Sequence, residues 1–355
     1  MTPKLAGFVW VMKAVVLTGI RQMEIRDVPA PSIRQEHDVL LKVKMVGICG
    51  SDLHYHETGR IGAQVVEYPF IIGHECAAAV EAVGRSVRRV RAGDSVVVDP
   101  AVACHECDQC KKGRENTCEN LRFLGSPGQG GGCLCEYIVM PEECCFPTKG
   151  ALSPEQGVLC EPLAIAVYSV ERARMPGGAD VAILGAGPIG LSCLLAAGVQ
   201  NGTTCYVTEK VEGRIEGARR GGAAWVGNPD REDVVGAILE RRPSGVDVAF
   251  ECAGQQETVD EAVDLVKAGG RVVLIGSPRT ERVTFDVDKI RRKEITIVNI
   301  RRQNKCTQRA IDLIASGKVG VDFMVTHRFK PEEARDAFEM VAEYLDGVIK
   351  AMILF

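Results

Sequence analysis

Val181-Ala182-Ile183-Leu184-Gly185-Ala186-Gly187-Pro188-Ile189-Gly190 is an apolar run that breaks into spaced glycines and opens onto a second apolar stretch. Strand, tight turn and helix in that order form the context in which a G-x-G-x-x-G match carries meaning. Gly185, Gly187 and Gly190 allow the turn, a close approach of a pyrophosphate, and close packing of the helix on the strand. The helix that begins at Pro188 and Ile189 offers its N-terminus to the phosphates. Glu209 ends the next apolar run, Cys205 to Thr208, where a carboxylate can bind the adenine-ribose hydroxyls and would repel a 2′-phosphate. The expected cofactor is therefore NAD rather than NADP. Lys210 and Arg214, beside Glu209, are the cations that work against that choice. Ile275, Gly276 and Ser277, at the end of a later apolar run, are assigned to the same cofactor site.

Strand and helix signals alternate outward from this motif. Val181–Leu184, a helix through Leu195, Cys205–Thr208, a helix near Gly213–Arg220, Val246–Glu251, a helix Glu257–Lys267 and Val272–Ile275 follow one another. Such alternation predicts parallel βαβ units in a doubly wound α/β sheet. Upstream, from Met12 to about Pro147, the texture is short β runs punctuated by Gly and Pro: Val39–Val43, Ala77–Val83, Ser95–Val98 and Glu136–Val139. That half reads as a compact β-rich domain with functional loops. The tail carries helices at Thr307–Ser316 and Pro331–Tyr344 and a last strand at Val348–Leu354. The expected division is a β-rich domain over 1–164, a cofactor domain over 165–304 and a return over 305–355.

The 355 residues exceed what one core usually serves, so two domains are the default. A net charge of −4 leaves no electrostatic footprint for nucleic acid or an acidic membrane. The opening residues Met1 to Trp10 lack the features of a secretory signal, and no apolar run reaches the length of a membrane span. The fifteen cysteines are therefore expected to be metal ligands or small core residues in a reducing cytoplasm, not disulfides. Residues before Met12 read as a short extension with no assigned role.

Cys104, Cys107, Cys110 and Cys118, spaced C-x2-C-x2-C-x7-C, can close around one tetrahedral zinc with no open position. That site is expected to be structural and to order a lobe at about 100–120. A second set differs in kind. Cys49 in Cys49-Gly50-Ser51-Asp52 and the pair His74-Glu75 in Gly73-His74-Glu75 offer a thiolate, an imidazole and a carboxylate from Gly-marked turns. Few protein ligands leave a zinc open for chemistry.

The order of these motifs, with Glu161-Pro162 between the lobe and the glycine turn, resembles the zinc-dependent medium-chain dehydrogenases. Cys49-Gly50-Ser51-Asp52-Leu53-His54-Tyr55, Gly59-Arg60-Ile61-Gly62, Glu161-Pro162-Leu163 and Val325-Thr326-His327-Arg328-Phe329 look most like the sorbitol (polyol) dehydrogenase branch. The resemblance implies a GroES-like catalytic domain, a Rossmann cofactor domain and an active site in the cleft between them. It also implies one catalytic and one structural zinc per subunit, NAD as hydride acceptor, and a homotetramer or homodimer.

Carried over by position, the catalytic zinc would be held by Cys49, His74 and a carboxylate. Glu75 and Glu161 are the candidates, with Glu161 favoured as the start of the Glu-Pro motif and Cys160 read as packing. Ser51 would accept the proton of an alcohol acidified by zinc, and His54 would relay it to solvent by way of the cofactor ribose. Tyr55 and Arg301 or Arg302 would contact the substrate hydroxyls, a one-residue shift in alignment deciding between the arginines. The expected reaction is oxidation of a secondary alcohol of a polyol or sugar-like substrate to a ketone. Threonine, cyclitols and simple alcohols are the alternative substrates, and a non-catalytic dinucleotide sensor is the alternative of a different class.

Overall fold

The computed structural model describes residues 10–278, 280 and 282–355. The expected extension before Met12 lies outside them except for Trp10 and Val11, the latter opening the first strand, Val11–Gly19.

The N-terminal half builds one mostly antiparallel sheet. Its strands run in the order Cys145–Pro147, Ser95–Val98, Glu75–Val83, Asp38–Gly47, Lys350–Leu354 and Val325–Phe329, with Tyr137–Pro141 also pairing to Asp38–Gly47. Val39, Leu41 and Val43 are fully buried and the last two alternate with the exposed Lys42 and Lys44, the period of a strand with one face on the core. The last strand supplies the join between the ends of the chain. Met352 pairs with Gly47 and Ile353 with Val46, so the C-terminus completes a sheet begun over three hundred residues earlier.

The second sheet has six parallel strands in the order Trp225–Gly227, Thr204–Thr208, Asp180–Leu184, Val246–Glu251, Val266–Leu274 and Thr296–Asn299. Asp180–Leu184 is the first of these in the chain and sits at the centre, so the strand order reverses between it and Val246–Glu251. A ligand site belongs at the carboxyl ends of the strands at that reversal. The glycine turn Gly185–Gly190 lies there.

The helix Pro154–Ala173 joins the two halves and accounts for the main departure from the sequence reading. Ser153 and Gln156 cap it reciprocally and Pro154 starts it. Residues from Gly157 to Ala164 are buried without a break, as is fitting for a helix that touches both sheets. The expected boundary at 164/165 thus falls inside one rigid element. An all-round apolar helix shows no amphipathic period, which is why the sequence reading passed over it.

Candidate active site

Cys49 is the N-cap of the helix Gly50–Thr58. Its thiolate and the Asp52 carboxylate cap one another's backbone, with Cys49 N–H donating to Asp52 Oδ2 at 3.1 Å. Ser51 donates its hydroxyl to Cys49 Sγ at 3.4 Å. His54 and Tyr55 follow at helical spacings of three and four from Ser51, so the three side chains share a face. Tyr55 is buried and donates to Gln64 Oε1 at 3.2 Å, while His54 is half-buried.

His74 and Glu75 enter on the neighbouring strand, and both are buried. Asp52 Oδ1 faces His74 Nδ1 at 3.2 Å, which leaves the other ring nitrogen for a ligand. Burial works against a charged His74, yet Asp52 and the Cys49 thiolate carry its pKa well above the ordinary histidine range. Ligand atoms of Cys49, His74 and Glu75 all lie within 4.8 Å of one another, and this donor set suits zinc. Glu161 stands outside that set. It is buried on the long helix, where burial, opposed by His74 and reinforced by Glu75, pushes its carboxyl up to about 7.

Lys350, on the last strand, was not singled out in the sequence. Its ammonium is buried and donates to Glu75 Oε2 at 2.6 Å and to Ile48 O at 3.1 Å. Burial opposes its charge, but Glu75 and Cys49 hold the pKa above the usual lysine value. A Cβ at Gly47 would stand 2.5 Å from Glu75 Oε2 and 2.7 Å from Val158, so only glycine leaves room for this ion pair.

The two arginines part company at a left-handed residue. Arg302 has φ of 55° and lies over the Phe123 ring, 3.5 Å from its centroid. Phe123 in turn contacts the His74 ring at 5.2 Å. Burial, and Arg301 next to it, push the Arg302 guanidinium down to about 9, with Glu161 and Tyr55 opposing. Arg301 is exposed, its carbonyl held by Asn116. Cys160 sits within the long helix and donates to its own backbone at Gln156 O, 3.3 Å away, as a packing residue would.

The dinucleotide turn has the steric character its glycines suggested. Gly185 has φ of 94°, and a Cβ at Gly190 would meet Gly185 O at 1.8 Å. Gly187 caps the helix Pro188–Gly198. Glu209 is buried and accepts from the N–H groups of Ala186, Lys210 and Val211, at 2.7, 2.7 and 3.0 Å. Its carboxylate is thus held in place beside the turn. The neighbouring cations are both engaged: Lys210 pairs with Asp230 at 2.8 Å, and Arg214 donates to Val348 O at 3.0 Å. Across the strand reversal, Ile275 and Gly276 donate to Glu251 O, and Ser277 O sits 2.7 Å from where a Cβ on Gly254 would be. The buried Glu251 carboxylate also accepts from Ala253 N, Gly254 N and Thr258 Oγ, bracing the loop opposite the glycine turn. Only its place at the end of an apolar run marked it in the sequence.

In the lobe, Cys104, Cys107, Cys110 and Cys118 bring their sulfurs within 4.8 Å of one another. Backbone N–H groups of Glu106 and Cys107 lower the Cys104 thiol to about 6, whereas burial pushes Cys110 up to about 12. Four sulfurs gathered this closely match the ligand set of a structural zinc. All fifteen cysteines are free of disulfides.

Comparison with known proteins agrees with this geometry. The family described as alcohol dehydrogenase GroES-like domain matches residues 35–150, and that described as zinc-binding dehydrogenase matches 188–316. A sorbitol dehydrogenase of Bacillus subtilis is 37% identical over 96% of this chain and 97% of its own. An L-idonate 5-dehydrogenase of Vitis vinifera is 34% identical over 93% and 91%. Among solved structures, a zinc-binding dehydrogenase of Sinorhizobium meliloti bound to NADP superposes with a TM-score of 0.89 at 33% identity, covering 98% of this chain and 100% of that one.

Proposed function

Because the chain belongs to the zinc-dependent medium-chain dehydrogenases, in their sorbitol dehydrogenase-like branch, we propose that it oxidises a secondary alcohol of a polyol or sugar-like substrate to a ketone with NAD. The observation that carries this reading is the gathering of Cys49, His74 and Glu75, with Tyr55 and Arg302 close by. Zinc held there would supply a Lewis acid that makes a substrate hydroxyl more acidic. Ser51 takes that proton, and His54, one turn along the same helix, passes it toward solvent. Arg302, braced on Phe123, and Tyr55 orient the further hydroxyls of a polyol, a task a simple alcohol would not require. The meeting of Glu75 with Cys49 and His74 supports Glu75 as the carboxylate ligand, and Glu161 as a hydrogen-bonding group beside it.

A screen of NAD reduction over polyols, cyclitols, threonine and short alcohols, with and without chelator, tests the reading. Chelator-sensitive turnover of a polyol is expected. A rate on threonine or ethanol above every polyol would replace the substrate class, and silence across the panel would favour a non-catalytic dinucleotide sensor.

The position of the Glu209 carboxylate beside the glycine turn and the engagement of Lys210 and Arg214 support NAD over NADP. Initial rates with NAD are expected to exceed those with NADP by about tenfold or more, since a like-charge contact at a partly buried site costs upwards of about 1.4 kcal/mol. Glu209→Ala should narrow the gap; equal rates with both cofactors in the parent protein would refute the preference.

Metal analysis of the purified protein is expected to give two zinc ions per subunit, one for each ligand set. A single zinc that survives Cys49→Ala would leave the lobe as the only site; a single zinc lost with Cys49→Ala would remove the lobe assignment. A homodimer or homotetramer and a cytoplasmic location belong to the same reading. The free cysteines support the latter, and no described helix is long and apolar enough to cross a membrane.

A further inference from the structure

Arg302 is drawn inward by its own backbone. Its φ of 55° is a left-handed value that an arginine rarely takes, and the residues on either side hold it there. Asn116 Nδ2 donates to Arg301 O at 2.9 Å, Gln303 Nε2 donates to Asp99 Oδ2 at 2.6 Å, and Cys306 N–H donates to Gln303 Oε1 at 2.7 Å. Pinned in this way, the side chain lies over Phe123, with 3.5 Å from the guanidinium to the ring centre and 5.2 Å from that centre to the centre of the His74 ring. Tyr55 and Glu161 are near enough to act on its charge. A strained residue thus sets a cation beside the metal-ligand set.

That cation has no partner. Among the described residues Arg302 makes no hydrogen bond and no ion pair. Other cations drawn inside are matched: Lys350 by Glu75 at 2.6 Å, Arg214 by Val348 O at 3.0 Å, and Lys293 by three backbone carbonyls at 2.8 to 3.0 Å. Asp99, an acid near Arg302, is committed elsewhere, accepting from Gln303, Thr307 and Ala101. Stacking on Phe123 offsets part of the lost hydration, but a half-buried cation without a counter-charge remains costly.

The guanidinium is not sealed. Nη1 is shut away from the surface, whereas Nε and Nη2, which together form one edge of the planar group, are not. One open edge with two parallel N–H groups matches the two oxygens of a carboxylate. A phosphate monoester carries roughly −1.5 to −2 and calls for a second cation. The exposed Arg301 and the committed Lys350 supply none.

Resting on the dehydrogenase reading, we propose that the substrate is an open-chain sugar acid. Arg302 Nε and Nη2 take its carboxylate, and a secondary hydroxyl further along the chain is presented to Cys49, His74 and Glu75. The oxidation is the one already described. The carbinol carbon gives its hydride to NAD, its hydroxyl gives a proton to Ser51, and the carboxylate is unchanged. Arg302 is then the residue that separates acidic from neutral polyols.

Matched pairs test this, because gluconate and sorbitol, galactonate and galactitol, or xylonate and xylitol differ only in a carboxylate for a terminal hydroxymethyl group. At least one acid is expected to exceed its alditol in kcat/KM by about tenfold or more, the worth of one charge-assisted bidentate contact. Arg302→Gln should erase that preference, chiefly through KM for the acid, and Arg302→Lys, which keeps the charge and loses the fork, should keep part of it. Calorimetric titration of the acid into the zinc-loaded chain held with NADH, where no turnover occurs, should show binding that Arg302→Gln weakens by about tenfold or more. Zinc content and circular dichroism report whether the variants fold; if they do not, the acid-to-alditol ratio and the calorimetry of the parent decide. Every alditol ahead of its acid would overturn the proposal and leave the polyol reading standing, whereas turnover of neither, with no calorimetric binding of the acids, would end both. A polyol phosphate ahead of every acid would overturn the choice of a carboxylate.

Discussion

Cys49→Ala is expected to lower kcat/KM for the best polyol by about a thousandfold or more while the chain stays folded. Loss of a Lewis acid from the reacting oxygen removes several kcal/mol of transition-state stabilisation, and each 1.4 kcal/mol is about tenfold in rate. The substitution acts twice. It deletes the sulfur of a three-ligand set, and it deletes the group to which Ser51 donates. The helix itself should survive, because Asp52 still caps the backbone N–H of residue 49. Three readouts together decide the matter: kinetics, zinc per subunit, and far-ultraviolet circular dichroism. A drop from two zinc ions to one with an unchanged spectrum and the rate loss is the expected pattern. Activity within tenfold of the parent would mean that Cys49 does not hold the catalytic metal.

The second large effect concerns Lys350. In the zinc-free protein Lys350→Met should destabilise the fold by about 3–5 kcal/mol, because it leaves the Glu75 carboxylate buried without its partner. The side chains are 1% and 2% exposed, so water cannot take over the role of the lost ammonium. Pairing it with Glu75→Gln should restore much of the loss, since removing both charges removes the unmet one. Urea unfolding of parent, single and double variants measures this. A midpoint for Lys350→Met equal to that of the parent would show that the pair contributes nothing in solution. The strand Lys350–Leu354 also closes the first sheet, so the ion pair ties the chain end to the metal cleft.

Gly185–Gly190, Cys104–Cys118 and Cys49–Asp52 were legible because each is a contiguous requirement of the backbone. A turn that excludes Cβ atoms, or sulfurs a few residues apart around one ion, leaves its mark in adjacent letters. The helices Gly50–Thr58 and Pro154–Ala173 were less legible, the second because burial on all sides erases its period. The expected boundary at 164/165 falls within that same helix.

The sequence alone determined the ordered motifs, the two ligand sets as sets, the glycine turn with Glu209 after it, and the two-domain plan. Only the tertiary structure set Glu75 close to Cys49 and His74, laid Arg302 over Phe123, and brought Lys350 to Glu75 across a separation of 275 residues. The physical reason lies in the range of the interactions. Turn sterics and short ligand spacings act between neighbours in the chain, while a buried ion pair and a cation over an aromatic ring exist only once distant segments have closed together.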